Sequence, residues 1–305
     1  MSRLSIVIPW WDEHPALEDT LVSVLQHRPR HSEILVAHNR PYHDPWQLTG
    51  EVIFLPCGAD SELDLIHGGI DASRAPLVHV LRCGMEATEG WTDAPVSRLE
   101  SDTNLAGIAP LIVGRGATPR IAAGLDPNWR GGRRRLVRAA GPDGSVDRQP
   151  IGPTLAAGFY RRESLVRAGR FSAEFGVSWA DLDLALTFRS MGLASAVEPA
   201  SRVLGDAGPD ESRGFSDGRR GARFVGKHER RCGTGVWITH VLAVIAGYAR
   251  RPTWTVPFDM AGRCIGFAES VRGTRHRGAS AEPEPEPVVV RPFTDGRPTA
   301  GRRAA

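Results

Sequence analysis

A chain of 305 residues is long enough for one large α/β domain with appendages, or at most two domains. The hydrophobic share of 41% and the charged share of 24% are ordinary for a globular protein with a sizeable core. The net charge of +3 is too small to indicate a nucleic-acid partner, and none is expected. Lys227 is the only lysine, so the abundance of arginine is interpreted as a compositional bias.

Neither the cysteines nor the apolar runs indicate export. The cysteines are scattered without the paired spacing of a zinc site, and we expect them to be reduced in a cytoplasmic protein. The apolar run 4–9 begins too early and is too short for a secretory signal. The run 236–248 is shorter than the roughly 20 residues needed to span a bilayer.

Short apolar runs alternate with helical patterns in the first half of the chain, which predicts a mainly parallel sheet covered by helices. The predicted strands are 4–9, 34–37, 52–55, 77–81 and 105–113. Helices are predicted near 15–25, 63–72 and 92–101. Residues 114–150 are rich in Gly, Pro and Arg and are predicted to form a long excursion with little core of its own.

Regular structure is predicted to resume after this excursion. A strand at 155–160 leads into a helix at 161–168, and a second helix runs from about Asp181 to Met191, ending at Gly192. A final short strand is predicted at 193–197, and the chain is then Gly- and Arg-rich to Val236.

The C-terminal part carries one apolar stripe at helical spacing, which includes Trp237, Val241 and Tyr248. This helix could pack on the domain, or it could lie on a membrane surface, which Arg250 and Arg251 would favour. From about 278 the Glu-Pro repeat predicts a disordered tail. The predicted organisation is one α/β domain at 1–206, a helical appendage at 207–277 and a disordered tail at 278–305.

The first strand and helix contain a recognisable motif. Residues 5–13, with the sequence SIVIPWWDE, precede a helix that carries Ser23-Val24-Leu25. This opening resembles the start of family 2 glycosyltransferases, in which an apolar strand is followed by Pro, an aromatic residue, Asn and Glu. Asp12 stands where Asn is typical.

A second motif lies far along the chain, in residues 158–165, 168–175 and 179–192. It is similar to the family's later motifs in both order and spacing, and together the two cover roughly 3–206. The resemblance implies a single Rossmann-like domain of the GT-A fold, with a mainly parallel central sheet, that binds a nucleotide sugar. The acceptor implied is an unidentified glycan, lipid or small molecule.

The resemblance also implies roles for particular residues. Asp181 would be the general base that takes a proton from the acceptor hydroxyl, although a helix-capping role stays open. The loops after the strands would bind the donor. The residues expected to contact substrate are Pro9, Trp10, Asp12, Glu13, His38, Asn39, Arg82, Gly84, Gly158 and Asp183. For Trp10 and Asp183 a structural role is an equal or stronger alternative.

The chain departs from the family at its metal site. The family usually binds a divalent metal through Asp-x-Asp after the fourth strand, and here residues 81–86 read LRCGME, with neither aspartate. The family's histidine after the last strand would fall near Gly205, beside Asp206. We therefore predict no metal ligand and no cofactor, while a divalent metal held by displaced carboxylates such as Glu86 or Glu89 stays open.

Two interpretations follow from these departures. In the first, the protein transfers sugar without a metal, and Arg82 together with an arginine cluster neutralises the diphosphate, because guanidinium groups bind phosphate bidentately. That cluster consists of Arg130, Arg133, Arg134, Arg135 and Arg138, and it could equally be a solvated loop. In the second interpretation, the domain is a catalytically inactive GT-A relative that binds a ligand or a partner.

Overall fold

The computed structural model describes most of the chain. The described residues are 2–11, 15–40, 42, 44, 46–116, 119–128, 134–141, 144–208, 214–228, 241–242, 244–246, 248–249 and 254–277. Asp12, Glu13, Arg130, Arg133 and the predicted tail at 278–305 therefore lie outside the described residues.

Strands and helices alternate as far as the strand Leu105–Val113, as predicted for the first half of the chain, and the three strands after it follow one another with no helix among the described residues. The strands are β1 Leu4–Trp10, β2 Ser32–His38, β3 Ile53–Pro56, β4 Leu77–Leu81, β5 Glu86–Ala87, β6 Leu105–Val113, β7 Ile121–Leu125, β8 Leu136–Arg138, β9 Ala157–Arg161 and β10 Ala194–Leu204. The helices are α1 Leu17–Gln26, α2 Glu62–Ala72, α3 Asp93–Ser101, α4 Arg162–Arg167, α5 Val177–Ser190, α6 Phe215–His228 and α7 Val256–Arg277, with a 3-10 turn at Ala173–Phe175.

A single twisted sheet organises the domain, with strand order β3-β2-β1-β4-β9-β6-β10-β5. Strands β3, β2, β1 and β4 pair in parallel, and β6 pairs in parallel with β10. Strand β9 runs antiparallel between β4 and β6, so these last two share the direction of β1. The predicted α/β class with a largely parallel central sheet is confirmed.

Alternate residues of the central strands build two cores, one on each face of the sheet. Ile6 and Ile8 of β1 pack with α1 and α3, whereas Val7 packs with α2 and α4 on the other face. These three β1 residues are fully buried, which explains why β1 reads as a continuous apolar run rather than as an alternating one.

Residues 114–150 contain more structure than the sequence predicts. Strands β7 and β8 extend β6 in an antiparallel arrangement. Ala123 of β7 and Val137 of β8 pack in a small cluster with Leu111 of β6 and Val197 of β10, so these strands share their core with the main sheet. The two strands were not predicted, because strands of five and three residues built partly from Ala, Gly and Arg are too short to show a periodic pattern.

Two other boundaries differ from the prediction. The strand predicted at 193–197 is the eleven-residue β10, which continues past Pro199 with an irregular register opposite β6. Helix α5 begins at Val177 after Gly176, so Asp181 lies one turn inside the helix rather than at its start.

The C-terminal helices α6 and α7 lie within the helical appendage predicted at 207–277, but their bounds were not predicted, because the glycines in both lower their helix propensity. Helix α6 packs on the α/β domain through Phe224, whose ring centroid lies 5.1 Å from that of Trp179. The described residues between 241 and 249 are helical, in agreement with part of the predicted stripe. Within the described part of the chain, no helix has the length and apolar character required to cross a bilayer.

Candidate functional site

A cavity opens at the edge of the sheet where β1 and β4 end. The parallel pairing of β1 with β4 brings Pro9 and Arg82 to this edge, and the Arg82 N–H donates to the carbonyl of Ala156, 3.0 Å away, just before β9. The cavity has a volume of about 400 Å³. It is lined by Pro9, Trp11, Ala16, Glu62, Arg82, Cys83, Gly84, Met85, Arg115, Ala156, Asp206 and Gly208.

A second cavity of about 600 Å³ adjoins the first at the ends of β6 and β10. Its lining includes Arg115, Arg120, Arg138 and Asp206. Arg115, Asp206 and Gly208 line both cavities, so the two form adjoining parts of one edge of the sheet. We call them the inner cavity, at β1 and β4, and the outer cavity, at β6 and β10.

Arg82 faces the inner cavity and is held there by Glu62, near the start of α2. The guanidinium forms a two-point ion pair in which Nη2 lies 2.6 Å from Glu62 Oε2 and Nε contacts Oε1. The Arg82 side chain is 37% exposed and that of Glu62 only 11%. Because a guanidinium carries five N–H donors, Arg82 can still donate to a ligand after pairing with Glu62.

Arg115, directly beyond β6, reaches back over the turn that follows β4. Its Nη2 donates to the Gly84 carbonyl at 3.2 Å and contacts the carboxylate of Glu86. The charge of each of Arg82 and Arg115 is thus partly balanced by a glutamate. The outer cavity is lined by Arg115, which is paired with Glu86, and also by Arg120, Arg138 and Asp206.

The turn after β4 offers no carboxylate to the inner cavity. Cys83 Sγ donates to the Pro9 carbonyl at 3.2 Å, and burial raises the pKa of its thiol to about 12, so the thiol stays protonated. The Gly84 N–H donates to Thr20 Oγ1 at 2.9 Å. Gly205, with φ of 148°, lies so close that an added Cβ would be 2.6 Å from Met85 Sδ.

The described residues do not fit a divalent metal. Glu62 and Glu86 are paired with arginines, and Asp206 is exposed, with Oδ1 accepting the Gly208 N–H at 3.0 Å. Across the described ranges, no group of three or more His, Cys, Asp or Glu side chains is arranged to hold a metal ion. Hard divalent cations take several oxygen ligands, which this edge does not provide from the described residues.

Asp181 lies behind the wall of the inner cavity rather than in it. Its carboxylate is paired with Arg134, whose Nη2 is 2.7 Å from Oδ2 and whose Nε is 3.1 Å from Oδ1. The main-chain N–H groups of Leu155 and Leu182 donate to it at 3.0 and 2.8 Å. The Asp181 side chain is 0% exposed and that of Arg134 12%. Leu155 is the neighbour of Ala156, a wall residue of the inner cavity.

Asp183 points to α6 instead of to either cavity. Lys227 Nζ donates to it at 2.8 Å, and His228 Nε2 lies 2.7 Å from the same oxygen. Burial by itself would raise the pKa of Asp183, but hydrogen bonds from His228 and Lys227 outweigh burial and hold the pKa below its usual value. The described contacts of Asp183 therefore tie α5 to α6.

The remaining predicted substrate residues form other local groups. The Trp10 ring packs edge-on against Tyr42, with centroids 5.4 Å apart, and Tyr42 stacks on Phe54 at 4.5 Å. His38 is buried, and its Nδ1 lies 2.6 Å from the Arg40 carbonyl oxygen. Asn39 Oδ1 is buried with no hydrogen-bond partner among the described residues.

Gly158 lies inside β9, where an added Cβ would lie 2.6 Å from the Tyr160 hydroxyl oxygen. Among the predicted substrate residues that are described, Pro9, Arg82 and Gly84 meet in the inner cavity, whereas Trp10, His38, Asn39, Gly158 and Asp183 lie outside both linings.

Three charged residues of the cavity linings were not identified from the sequence: Glu62, Arg115 and Arg120. The signal for Arg115 was present, since it follows the carboxyl end of a predicted strand, where ligands bind in open α/β sheets. Glu62 lies one residue before the predicted start of its helix.

No protein-family model matches the chain, and no curated protein sequence is similar to it. Among solved structures, the chain is similar to GalNAc-T7 crystallised with UDP, GalNAc and Mn2+, with a TM-score of 0.60, 14% identity and coverage of 93% of this chain. It spans 58% of the length of that protein. The mannosyltransferase PcManGT from Pyrobaculum calidifontis, in complex with GDP-Man and Mn2+, gives a TM-score of 0.49 and 15% identity, over 91% of this chain and 79% of that one. With the strand order and the cavity edge described above, the likeness to GalNAc-T7 identifies the fold of this chain as the GT-A fold of nucleotide-sugar transferases.

Proposed function

We propose that the chain is a glycosyltransferase that binds a nucleotide-sugar donor where the inner and outer cavities adjoin. The observation that carries the proposal is the meeting of Pro9, Arg82, Gly84 and Arg115 at the carboxyl edge of the sheet. In open α/β sheets this edge is where ligands bind. The resemblance to family 2 glycosyltransferases supports the same assignment.

Arginines would neutralise the diphosphate in place of a metal. Departure of a nucleoside diphosphate develops negative charge, which the site must stabilise. Arg115 reaches both cavities, and Arg120 and Arg138 add positive charge in the outer one. Guanidinium groups suit this role because they donate paired hydrogen bonds to phosphate oxygens.

The acceptor hydroxyl needs a base, and Asp181 can serve only if Arg134 leaves it. In the described arrangement, the Asp181 oxygens accept from Arg134 and from two main-chain N–H groups, and no part of the carboxylate reaches solvent. This ion pair favours a second candidate function, a GT-A domain that binds nucleotide without transferring sugar.

Isothermal titration with UDP, GDP and their sugars, each with EDTA or with Mn2+, tests the proposal. We expect one nucleotide to bind with a dissociation constant that Mn2+ changes by no more than about twofold, because the described residues offer the ion no group of ligands. Slow hydrolysis of the matching donor would support the transferase. Binding without any turnover would support the inactive domain, and no nucleotide binding would contradict the proposed donor site.

A further inference from the structure

The appendage formed by α6, α7 and the helical residues around 241–249 exposes large apolar side chains to solvent and buries an ion pair. Large apolar side chains on its outer side are between 44 and 82% exposed. We call them the apolar face: Val241, Leu242, Ile245, Trp254, Phe258, Met260, Ile265 and Phe267. Monomeric soluble proteins rarely expose a contiguous set of this size without a binding role.

The charged residues in the first part of α7 point inward. Asp259 is 2% exposed and is paired with Arg263, whose Nε lies 2.8 Å from Asp259 Oδ2 and 3.1 Å from the Tyr248 hydroxyl. Glu269 is paired with Arg219 of α6, with Nη2 and Oε1 2.6 Å apart. The charged side chains described between 256 and 270 are therefore paired within the protein, and the exposed positions between 257 and 268 are apolar.

The outward side of α7 is apolar over a wide arc. Between 257 and 268 the exposed positions are Pro257, Phe258, Met260, Ala261, Cys264, Ile265, Phe267 and Ala268. At about 100° per residue these positions cover about half of the helix circumference. A helix that packs against a single partner helix has a narrower apolar stripe than this. The width of the apolar arc on α7 therefore favours contact with lipid over contact with a second copy of the chain.

Helices α6 and α7 approach each other through small residues. Gly262 and Gly266 face the backbone of α6 so closely that added Cβ atoms would lie 2.0 and 2.2 Å from the carbonyl oxygens of Phe215 and Arg219. From the α6 side, Gly218 makes a similar approach to Asp259. Small residues at four-residue spacing let the two helix backbones approach closely, so α6 and α7 form a rigid pair that presents the apolar face on one side.

Positive charge surrounds the apolar face in the sequence. Arg250 and Arg251 precede Trp254, and Arg272, Arg275 and Arg277 occupy the last two turns of α7. Arginines that flank an apolar helix in the sequence favour anionic headgroups, while the apolar side chains enter the boundary with the acyl chains.

We propose that the apolar face docks on the surface of a bilayer that contains anionic lipid. The proposal is independent of the proposed function, since it rests on the appendage alone. Docking would leave the α/β domain and its cavities on the water side, held close to the membrane.

Flotation of the full chain with vesicles tests this docking. We expect it to float with vesicles of phosphatidylcholine and phosphatidylglycerol, more weakly with phosphatidylcholine alone, and more weakly at high salt. Ile265→Asp and Phe258→Asp should each reduce the partition coefficient about tenfold or more, because a buried apolar side chain is replaced by a charge. Val166→Asp, at a residue of α4 that is 44% exposed like Ile265, should have no effect.

Flotation that persists in both variants, or that never occurs with either vesicle, overturns the proposal. A photo-cross-linking residue at position 265 in the vesicle-free chain distinguishes the other occupants. Cross-links between two copies would assign the apolar face to a dimer, and cross-links within one chain to 278–305 would assign it to the tail. Either result overturns membrane docking, whereas an uncross-linked chain that floats supports it.

Discussion

Arg134 and Asp181 form a buried two-point ion pair directly behind Ala156, a wall residue of the inner cavity. The arginine comes from the segment between β7 and β8, and the aspartate lies one turn into α5. Chain segments that differ in sequence position by 47 residues are therefore joined at the back of the candidate site. Arg134 is thus bound to the Asp181 carboxylate, the group to which the family resemblance assigns proton transfer.

Removing the arginine should destabilise the fold more than removing the pair. Arg134→Met leaves the Asp181 carboxylate buried with main-chain donors alone, and we expect the free energy of unfolding to fall by about 3 kcal/mol or more. Adding Asp181→Asn should restore part of that loss, because no uncompensated charge then remains. Urea denaturation of the parent chain, of each single variant and of the double variant gives the coupling energy between Arg134 and Asp181. A cost for Arg134→Met of less than about 1 kcal/mol would mean that the pair behaves as an exposed one.

Asp183 should make stability sensitive to acid. Its folded-state pKa lies below the unfolded value of about 3.9, so its stabilisation is complete above that value and is lost as the pH falls through the folded-state pKa. We expect Asp183→Asn to cost about 2 kcal/mol at pH 7. The difference from the parent chain should shrink as the pH is lowered below about 4.

Asp71→Asn is the matched control for Asp183, because Asp71 is half exposed and pairs with a partly exposed Arg170. Its cost should stay within about 1 kcal/mol at neutral pH. Equal costs for the two variants would refute the tie between α5 and α6.

His79 should give a second, separate pH dependence. It lies fully buried in β4, with its ring 3.9 Å from that of Phe159, and burial lowers its pKa to about 3. Because the pKa of histidine in the unfolded chain is about 6.5, His79 binds a proton in the unfolded chain between about pH 6 and pH 3 but stays neutral in the folded chain. The free energy of unfolding should therefore decline by about 1.4 kcal/mol per pH unit below about pH 6, down to about pH 3.

His79→Leu should remove this decline, since leucine fills similar space between Phe159 and Trp91 without titrating. Urea denaturation at pH 7 and pH 5 measures the difference. If both chains lose the same stability over that interval, the decline does not come from His79.

The sequence predicts the site residues that directly follow or end a strand with a clear apolar pattern. The apolar runs of β1 and β4 fix the edge at Pro9 and Arg82, and the absence of aspartates after β4 is visible directly. The contact between Arg134 and Asp181 is not predictable, because it depends on the path of the short strands β7 and β8. The bounds of α6 and α7 within the predicted helical appendage were not predictable either, because their glycines lower helix propensity while allowing close packing between helices.

Arg115 should contribute to nucleotide binding far more than an ordinary surface arginine. It reaches both cavities, so Arg115→Ala removes charge-assisted hydrogen bonds to the diphosphate and should weaken UDP or GDP binding about tenfold or more. Arg120→Ala should act in the same direction, since Arg120 lines the outer cavity. Arg3→Ala is the matched control: Arg3 is 53% exposed and paired with Glu100, as Arg115 is 57% exposed and paired with Glu86. Titration calorimetry should give Arg3→Ala the parent affinity, and an Arg115→Ala chain that matches it would place the diphosphate elsewhere.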